Sequence, residues 1–469
     1  MKKISDIVES YRDEITRHTS ELIRIPSVES PERPGMPFGE NVDKALRYVL
    51  ELAEELGLKT VYFDGYAGHV DVGEGDDLVG VLVHVDVVPE GRGWELPAFG
   101  GEVHDNRVYG RGAVDDKGPV IASLFALKAL QDLGTPLKKR VRLIVGTHEE
   151  CPSGWTDLHR YFENYPRPEQ GFSPDAAFPV IYGEKGLLNF SLQYMVAPDL
   201  EPVQVISLAG GEAPNMVPDY CEAELSVEES GAVDLLANHR AYVEQTGCPV
   251  TLEQRAVGRY IVSANGVSAH ASTPEEGVSA ISRVIDFLAQ CPGLNASIAA
   301  FAASYAEKIG FDVNGEGLGC AFEDEASGRL TCNVGQVSIK DGNVILTVNL
   351  RYPVSSAGET VTAGIKNALA GTGMKFHLID DSEPLFVPTD DELVVKLMDA
   401  YARETGDTTT GPLTIGGGTY ARALPKGVAF GPRLPGRPNL AHQKDEYIEI
   451  EDLIIATRIY ASALLALAE

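Results

Sequence analysis

Apolar and polar positions along this chain follow two textures, and the texture changes twice. Near the start, Ile4, Val8, Tyr11 and Ile15 recur at three- and four-residue spacing, which predicts an amphipathic helix. Val42, Leu46, Val49, Leu52 and Leu56 predict another, stopped at Gly57. Strands follow at about 60–64, 69–73 and 79–88, then a helix over about 118–133 with Pro119 in its first turn and Gly134 past its end. Residues 141–147 (VRLIVGT) form an unbroken apolar run, the pattern of a strand covered on both faces. This is α/β texture. From 186 to 383 it gives way to long strands such as LLNFSLQYMV and NVILTVNLRYP, with apolar helices near 230–245, 278–290 and 360–370. From 384 the first texture returns, with helices at 391–404 and 451–468 around a glycine-rich segment, TIGGGTYAR. The order predicts one α/β domain in two pieces, 1–185 and 384–469, interrupted by an α+β domain over 186–383.

The 469 residues suffice for two domains. A hydrophobic fraction of 44% and a charged fraction of 23% fit a soluble globular protein. A formal net charge of −30, from 39 basic and 69 acidic residues, argues against nucleic acid or an anionic membrane as partner. No apolar run approaches the roughly 20 residues of a membrane span. The first 15 residues lack the apolar core of a secretory signal, so a cytoplasmic location is expected. Six cysteines, at 151, 221, 248, 291, 320 and 332, contain no C-x-x-C pair and read as reduced thiols. Cys151 follows two glutamates, whose charge disfavours a thiolate, so it is not expected to act as a nucleophile.

Candidate chemistry sits where apolar strands end. In VLVHVDVVPE, His84 and Asp86 interrupt a run that otherwise excludes water. Two residues apart in a strand, they share a face near its carboxyl end, where open α/β sheets place ligands. Alone, the pair equally fits a core histidine satisfied by its neighbour. GRGAVDDKG (110–118), GTHEE (146–150) and SPDAAFP (173–179) add acids that follow apolar strands. Carboxylates gathered together repel, a cation resolves the repulsion, and a His-plus-carboxylate set suits zinc. His442, in NLAHQKDEY, precedes the final helix and by itself reads as a surface histidine. No G-x-G-x-x-G follows a strand, and no phosphate-binding G-x-x-x-x-G-K-[ST] occurs, which sets nucleotide binding aside.

Taken together, H-x-D, G-R-G-x-x-D-D-K-G, E-E, a single later acid and a C-terminal His resemble the co-catalytic zinc peptidases. That family includes aminoacylase, carnosinase and glutamate carboxypeptidase, and its bacterial dipeptidases of the PepV type are the nearest branch. The likeness runs from about Ile15 to the last helix and includes HVDVVPEGRGW, VYGRGAVDDKGP, FSPDAAFPVIYGEKG, SAHAS, NLRYP and IGGGTYAR. It implies a catalytic domain with a mixed sheet flanked by helices, interrupted by a lid. It implies two Zn²⁺, with Mn²⁺ or Co²⁺ as alternatives. His84 and Asp175 would hold one ion, Glu150 and His442 the other, and Asp115 would bridge them together with a water. Asp86 would orient His84, and Glu149 would be the general base on that water. A cis bond is implied at Asp115–Asp116.

In the insert, His270 of SAHAS would stabilise the oxyanion, Arg351 of NLRYP would clamp the substrate carboxylate and Asn215 would help bind the transition state. Backbone N–H groups of Gly416, Gly417, Gly418 and Thr419 would also take that carboxylate. Each has a plainer reading: a packed histidine, a salt-bridging arginine, a tight turn. His148 replaces the Asp or Asn of many relatives and is expected to act from the loop, not as a ligand. The charged QKDEY after His442 is expected to bear on substrate preference. The implied activity is hydrolysis of unblocked dipeptides by a monomer, because the enlarged insert would supply what a partner subunit supplies in dimeric relatives. An N-acyl-amino-acid deacylase is the alternative enzyme, and a catalytically inactive peptide-binding protein is the alternative of another class.

Overall fold

A computed structural model describes residues 3–151 and 154–469; Met1 and Lys2 of the predicted first helix lie outside them. The chain separates into two compact units. The first holds the chain up to Gly183, Leu385–Thr414 and Gly418–Glu469; the second holds Glu184–Pro384 and the short return Ile415–Gly417. The predicted insert thus differs from the second unit by a residue or two at each end, and by those three residues of the glycine-rich segment.

The first unit is built on a mixed sheet. Its strand order is Lys59–Phe63, Ala67–Val72, Arg140–Gly146, Leu78–His84, Gln170–Ser173, Lys426–Ala429, Ile181–Glu184, Leu385–Phe386. Four consecutive strands in that order are parallel: Arg140–Gly146, Leu78–His84, Gln170–Ser173 and Lys426–Ala429. Their register pairs His84 with Gly146 and Val81 with Phe172. Alternation divides their side chains between two cores. Val79, Val81, Val83, Val141, Leu143 and Val145 join one cluster with Lys117–Leu133 and the C-terminal helix Ile450–Ala468. Leu82 and Ile144 join Leu158, Tyr161 and Tyr420 in another. Both faces are dry, which is why these strands read as unbroken apolar runs. After Leu78–His84 the chain moves to its neighbour Arg140–Gly146, then returns past it to Gln170–Ser173 on the other side. Such a reversal of strand order opens a crevice at the carboxyl ends.

Two elements differ from expectation. The first helix is two, Ile4–Ser10 and Arg12–Ile23, separated at Tyr11. The Ser10 hydroxyl donates to the Ile7 carbonyl, a local bond that competes with the helical ladder. The strand expected to run to 88 ends at His84. Beyond it the chain is held by Ser27: Val87 N–H donates to the Ser27 carbonyl (3.1 Å) and the Ser27 hydroxyl donates to that of Val85 (2.6 Å). Asp86 is therefore a loop residue, not the next same-face position of a strand.

The second unit has its own antiparallel sheet of eight strands. The order is Val250–Ala256, Arg259–Asn265, Tyr220–Val227, Val203–Gly210, Thr331–Lys340, Asn343–Tyr352, Gly186–Met195, Lys375–Ser382. A separate core of Leu188, Phe190, Val262, Ile285, Phe301, Leu346 and others lies beneath helices Ala280–Ala289, Ala296–Lys308 and Gly358–Ala368. Ala296–Lys308 was not anticipated, although Asn295 announces it by accepting the N–H groups of Ser297 and Ile298. No helix among the described residues is long and apolar enough to cross a membrane.

A buried histidine ties the edge of the first sheet to pH. The ring of His69 meets the Tyr161 hydroxyl (2.8 Å), and burial, with Arg142 adding, lowers its pKa from 6.5 to about 4. Below pH 6.5 the unfolded chain binds a proton that the folded chain refuses, so this contribution is complete above 6.5 and is lost as pH falls through about 4. Denaturation midpoints measured across that window should fall less steeply for His69→Asn than for the wild type; equal slopes would contradict the assignment.

Candidate metal centre

Three adjacent parallel strands deliver the centre. His84 closes Leu78–His84, Glu149 and Glu150 follow Arg140–Gly146, and Asp175 follows Gln170–Ser173. Asp115 lies on the loop before Lys117–Leu133, joined to Asp116 by a cis peptide bond. His442 comes from the loop before the last helix and has φ 63°. These six side chains, distant in sequence, meet. Asp115 Oδ1 is 3.2 Å from His84 Nε2, and its Oδ2 is 3.1 Å from His442 Nε2. His442 Nε2 is also 2.9 Å from Glu150 Oε1, and His84 Nε2 is 3.9 Å from Asp175 Oδ2. Ligand atoms of His84, Glu149 and Asp175 lie within 4.8 Å of one another, as do those of His84, Asp115 and Glu150. One carboxylate thus stands between two imidazoles, a separate oxygen toward each.

The ring of His84 is set by its other nitrogen. Nδ1 is 2.9 Å from the carbonyl oxygen of Asp86, which can only accept, so Nδ1 carries a proton and Nε2 is the nitrogen turned toward the carboxylates. The Asp86 carboxylate is farther from the ring (3.5 Å) and accepts instead from Glu150 N–H (3.0 Å). It therefore holds the backbone of the Glu149–Glu150 segment as well as flanking the histidine.

Electrostatics explain what the cluster wants. Burial pushes Glu149, Asp116 and Asp175 well above the usual carboxylate range, and neighbouring carboxylates add to it. Glu150 is raised for the same two reasons. Asp115 goes the other way: hydrogen bonds from His442 and His84 overcome its burial. Burial alone would lower both histidines, but Asp115 and Asp86 outweigh it at His84, while Glu150 and Asp115 hold His442 at about 11. Buried negative charge thus draws in whatever positive charge can reach it. The donor set is two imidazoles and several carboxylates, and His84 Nε2 is buried with no aligned hydrogen bond. Such a set fits a pair of borderline cations such as Zn²⁺.

Three further residues brace the centre. Glu446, fully buried, accepts N–H groups from Gly112 (3.1 Å), Val114 (2.8 Å) and Asp115 (3.3 Å) and pairs with buried Arg111 (2.7 Å). Burial, with Asp115 nearby, pushes it up to about 7. It belongs to the QKDEY segment, whose charge was the visible signal; its carboxylate faces the GRGAVDD loop and not solvent. Asp157 accepts N–H groups from Thr147 (2.7 Å) and His148 (3.1 Å) and the hydroxyl of Tyr420 (2.5 Å). Tyr420 in turn lies edge-on to His84, with centroids 6.0 Å apart. A lone acid in TDLHR carries no sequence signal for that role.

The other candidate residues gather in the second unit, apart from two. Met216 pairs with His270 in an antiparallel bridge, and Ala271 N–H donates to the Asn215 carbonyl (2.9 Å). His270 Nε2 is 3.3 Å from Arg351 Nη2, and its Nδ1 is 2.6 Å from the Ser272 hydroxyl. Arg351 is buried and donates to the Gly416 carbonyl (2.6 Å) and to Asn349 Oδ1 (3.1 Å). Gly416 and Gly417 thus accompany His270, Arg351 and Asn215, whereas Gly418 and Thr419 belong to the first unit. A Cβ on Gly416 would meet Ser272 Cβ at 2.8 Å, and one on Gly418 the Arg422 guanidinium at 3.0 Å, so packing alone favours glycine at both. The Thr419 hydroxyl accepts Ala421 N–H and caps the short helix Tyr420–Ala423.

Residues 80–466 match the family model "Peptidase family M20/M25/M40". "Putative dipeptidase YtjP" of Bacillus subtilis is 41% identical over 467 residues, 98% of each chain. "Putative dipeptidase MW1694" of Staphylococcus aureus is 37% identical over 469 residues, again 98% of each. Among solved structures, human carnosine dipeptidase 1 superposes with a TM-score of 0.56 at 17% identity, over 99% of this chain and 98% of the other. The dipeptidase Dug1p of Saccharomyces cerevisiae does so at 0.56 and 14%, over 99% and 98%. The M20 family metallo-carboxypeptidase Sso-CP2 of Sulfolobus solfataricus does so at 0.58 and 17%, over 97% and 99%. At these identities the superpositions speak for the fold.

Glu446→Gln should destabilise the chain by about 3–5 kcal/mol, because Arg111 loses its buried counter-charge. It should also speed the loss of cations to a chelator, because Asp115 rides on the same loop. Denaturation and metal release check this together; a change within about 0.5 kcal/mol would refute the bracing role.

Proposed function

The chain belongs to peptidase family M20/M25/M40, and on that premise we propose that it is a metal-dependent dipeptidase acting on unblocked dipeptides. The observation that carries the reading is Asp115, one oxygen toward His84 and the other toward His442, with Glu149 beside them. Relatives named "Putative dipeptidase", matched over 98% of this chain, support dipeptides as the substrate class.

We propose that His84 and Asp175 hold one Zn²⁺, Glu150 and His442 the other, and Asp115 both, with Mn²⁺ or Co²⁺ able to use the same donors. Cations held there would supply polarisation of the scissile carbonyl and acidification of water. The remaining steps belong to the chain. Glu149 takes a proton from the attacking water on its carboxylate and delivers it to the nitrogen of the leaving amine. A buried carboxyl with a raised affinity for protons suits that shuttle. Asp86 keeps Glu149 and Glu150 in place through the backbone bond to Glu150 and sets the tautomer of His84 through its own carbonyl. From the family resemblance, His270 donates to the developing oxyanion, Arg351 and the N–H groups of Gly416–Thr419 bind the terminal carboxylate, and Asn215 contacts the transition state.

The decisive experiment is a panel of dipeptides and their N-acetyl forms, assayed on metal-stripped protein and after readdition of each metal. Cleavage of the free dipeptides only, restored by metal, is expected. Preference for the N-acetyl forms would make the protein a deacylase instead, and no cleavage of either would sink the enzyme reading. Glu149→Gln should keep its metal and lose about 10²–10⁴-fold in kcat with little change in KM. A monomer is proposed to be active alone, so mixing His270→Ala and Glu149→Ala chains should restore nothing. Recovered turnover would mean that subunits share sites.

A further inference from the structure

We propose that Glu29, His148 and Cys151 form a further cation site, apart from the centre described above, that takes a thiophilic divalent cation such as Zn²⁺. Their ligand atoms lie within 4.8 Å of one another. Around a tetrahedral zinc, nitrogen, sulfur and oxygen donors stand about 3.3–3.6 Å apart, so closure on an ion asks for movements of about 1 Å.

His148 supplies the independent pointer. It is buried, yet among the described residues neither ring nitrogen has a hydrogen bond: Nδ1 is enclosed without a partner there, and Nε2 is 3.7 Å from Glu29 Oε1. Buried imidazoles are ordinarily satisfied, and a cation on Nε2, the nitrogen that faces Glu29, would give this ring the partner it lacks on that side. The ring is also preset. It stacks on Phe38, with centroids 4.0 Å apart and planes at 15°, while Asp157 holds its backbone N–H. Glu29 is half exposed, which gives the ion an approach from solvent and leaves room for water as fourth ligand.

The donor chemistry selects the ion. A sulfur beside an imidazole and one carboxylate favours Zn²⁺ or Co²⁺ over Mg²⁺ or Ca²⁺. On binding, the Cys151 thiol releases its proton to solvent and the thiolate takes the ion. His148 and Cys151 bracket Glu149 and Glu150 in the chain. A bound ion therefore grips both ends of the segment that bears the proposed base, and loading the site should slow turnover; this consequence rests on the proposed peptidase activity, whereas the site does not.

The test uses the full chain, stripped and reloaded with Co²⁺. Among the described residues the Asp115 centre offers no sulfur, so a near-ultraviolet sulfur-to-cobalt charge-transfer band that is lost in Cys151→Ala reports the new site; a band that persists in Cys151→Ala would come from another of the six cysteines and overturns the proposal. The wild type should show the band and bind about three equivalents, and Cys151→Ala about two with no band. Glu29→Gln with His148→Asn should abolish the band or weaken its cobalt affinity at least about tenfold. No band at saturation in the wild type overturns the proposal. So does a band that survives undiminished in the Glu29→Gln, His148→Asn chain, since Cys151 would then bind cobalt elsewhere. In the activity arm, excess Zn²⁺ should inhibit the wild type and spare Cys151→Ala; equal inhibition overturns the grip on the segment. A wild type that shows the band but binds only about one equivalent would leave this site standing and sink the two-ion centre.

Discussion

Negative charge buried at one end of a parallel sheet governs this molecule. Asp86, Asp115, Asp116, Glu149, Glu150 and Asp175 converge where strands Leu78–His84, Arg140–Gly146 and Gln170–Ser173 end. An isolated carboxylate in such a place would cost many kcal/mol and would neutralise itself instead. Two imidazoles share the burden, and the raised carboxyls show how much remains. The rest of the first unit is arranged so that this crowd stays where it is.

The arrangement works through backbone N–H groups. Carboxylates outside the proposed ligand set each accept main-chain donors: Asp86 from Glu150, Asp157 from Thr147 and His148, Asp116 from His84, Glu446 from Gly112, Val114 and Asp115. Charge-assisted bonds to buried donors are strong and directional. They convert loops, which would otherwise be the mobile parts of an α/β unit, into rigid mounts for the ligands they carry. The stability of these loops and the geometry of the centre therefore rest on the same bonds.

The second unit is independent in a physical sense. Among the described residues, its eight antiparallel strands enclose a core that shares no residue with the cores of the first. A long insertion costs little when its ends leave and rejoin at neighbouring places, because closure entropy grows slowly with length. Here the chain leaves after Gly183 and returns at Leu385, with strands Ile181–Glu184 and Leu385–Phe386 adjacent in one sheet. The same layout persists among solved structures at 14–17% identity, as expected when patterning and sheet topology, more than particular core side chains, specify a fold.

Local order was legible in the chain because it depends on neighbours in sequence. Hydrophobic period located Glu40–Glu55, Lys117–Leu133, Arg140–Gly146 and Ile450–Ala468, and the change of texture located the insert. Strand-end chemistry drew attention to His84 and to the acids of GRGAVDDKG, GTHEE and SPDAAFP, while the family resemblance alone singled out His442, which by itself reads as a surface histidine. What the sequence could not carry were facts of position between distant segments. Strand Leu78–His84 ends where it does because Ser27, remote in the chain, captures Val85 and Val87. Glu446 and Asp157 look like surface acids until the fold closes over them, and Ile415–Gly417 joins the second unit by packing that no local pattern records. Burial and backbone capture are properties of the closed chain, and they alone decide which of its many carboxylates gather at the candidate centre and which hold the others in place.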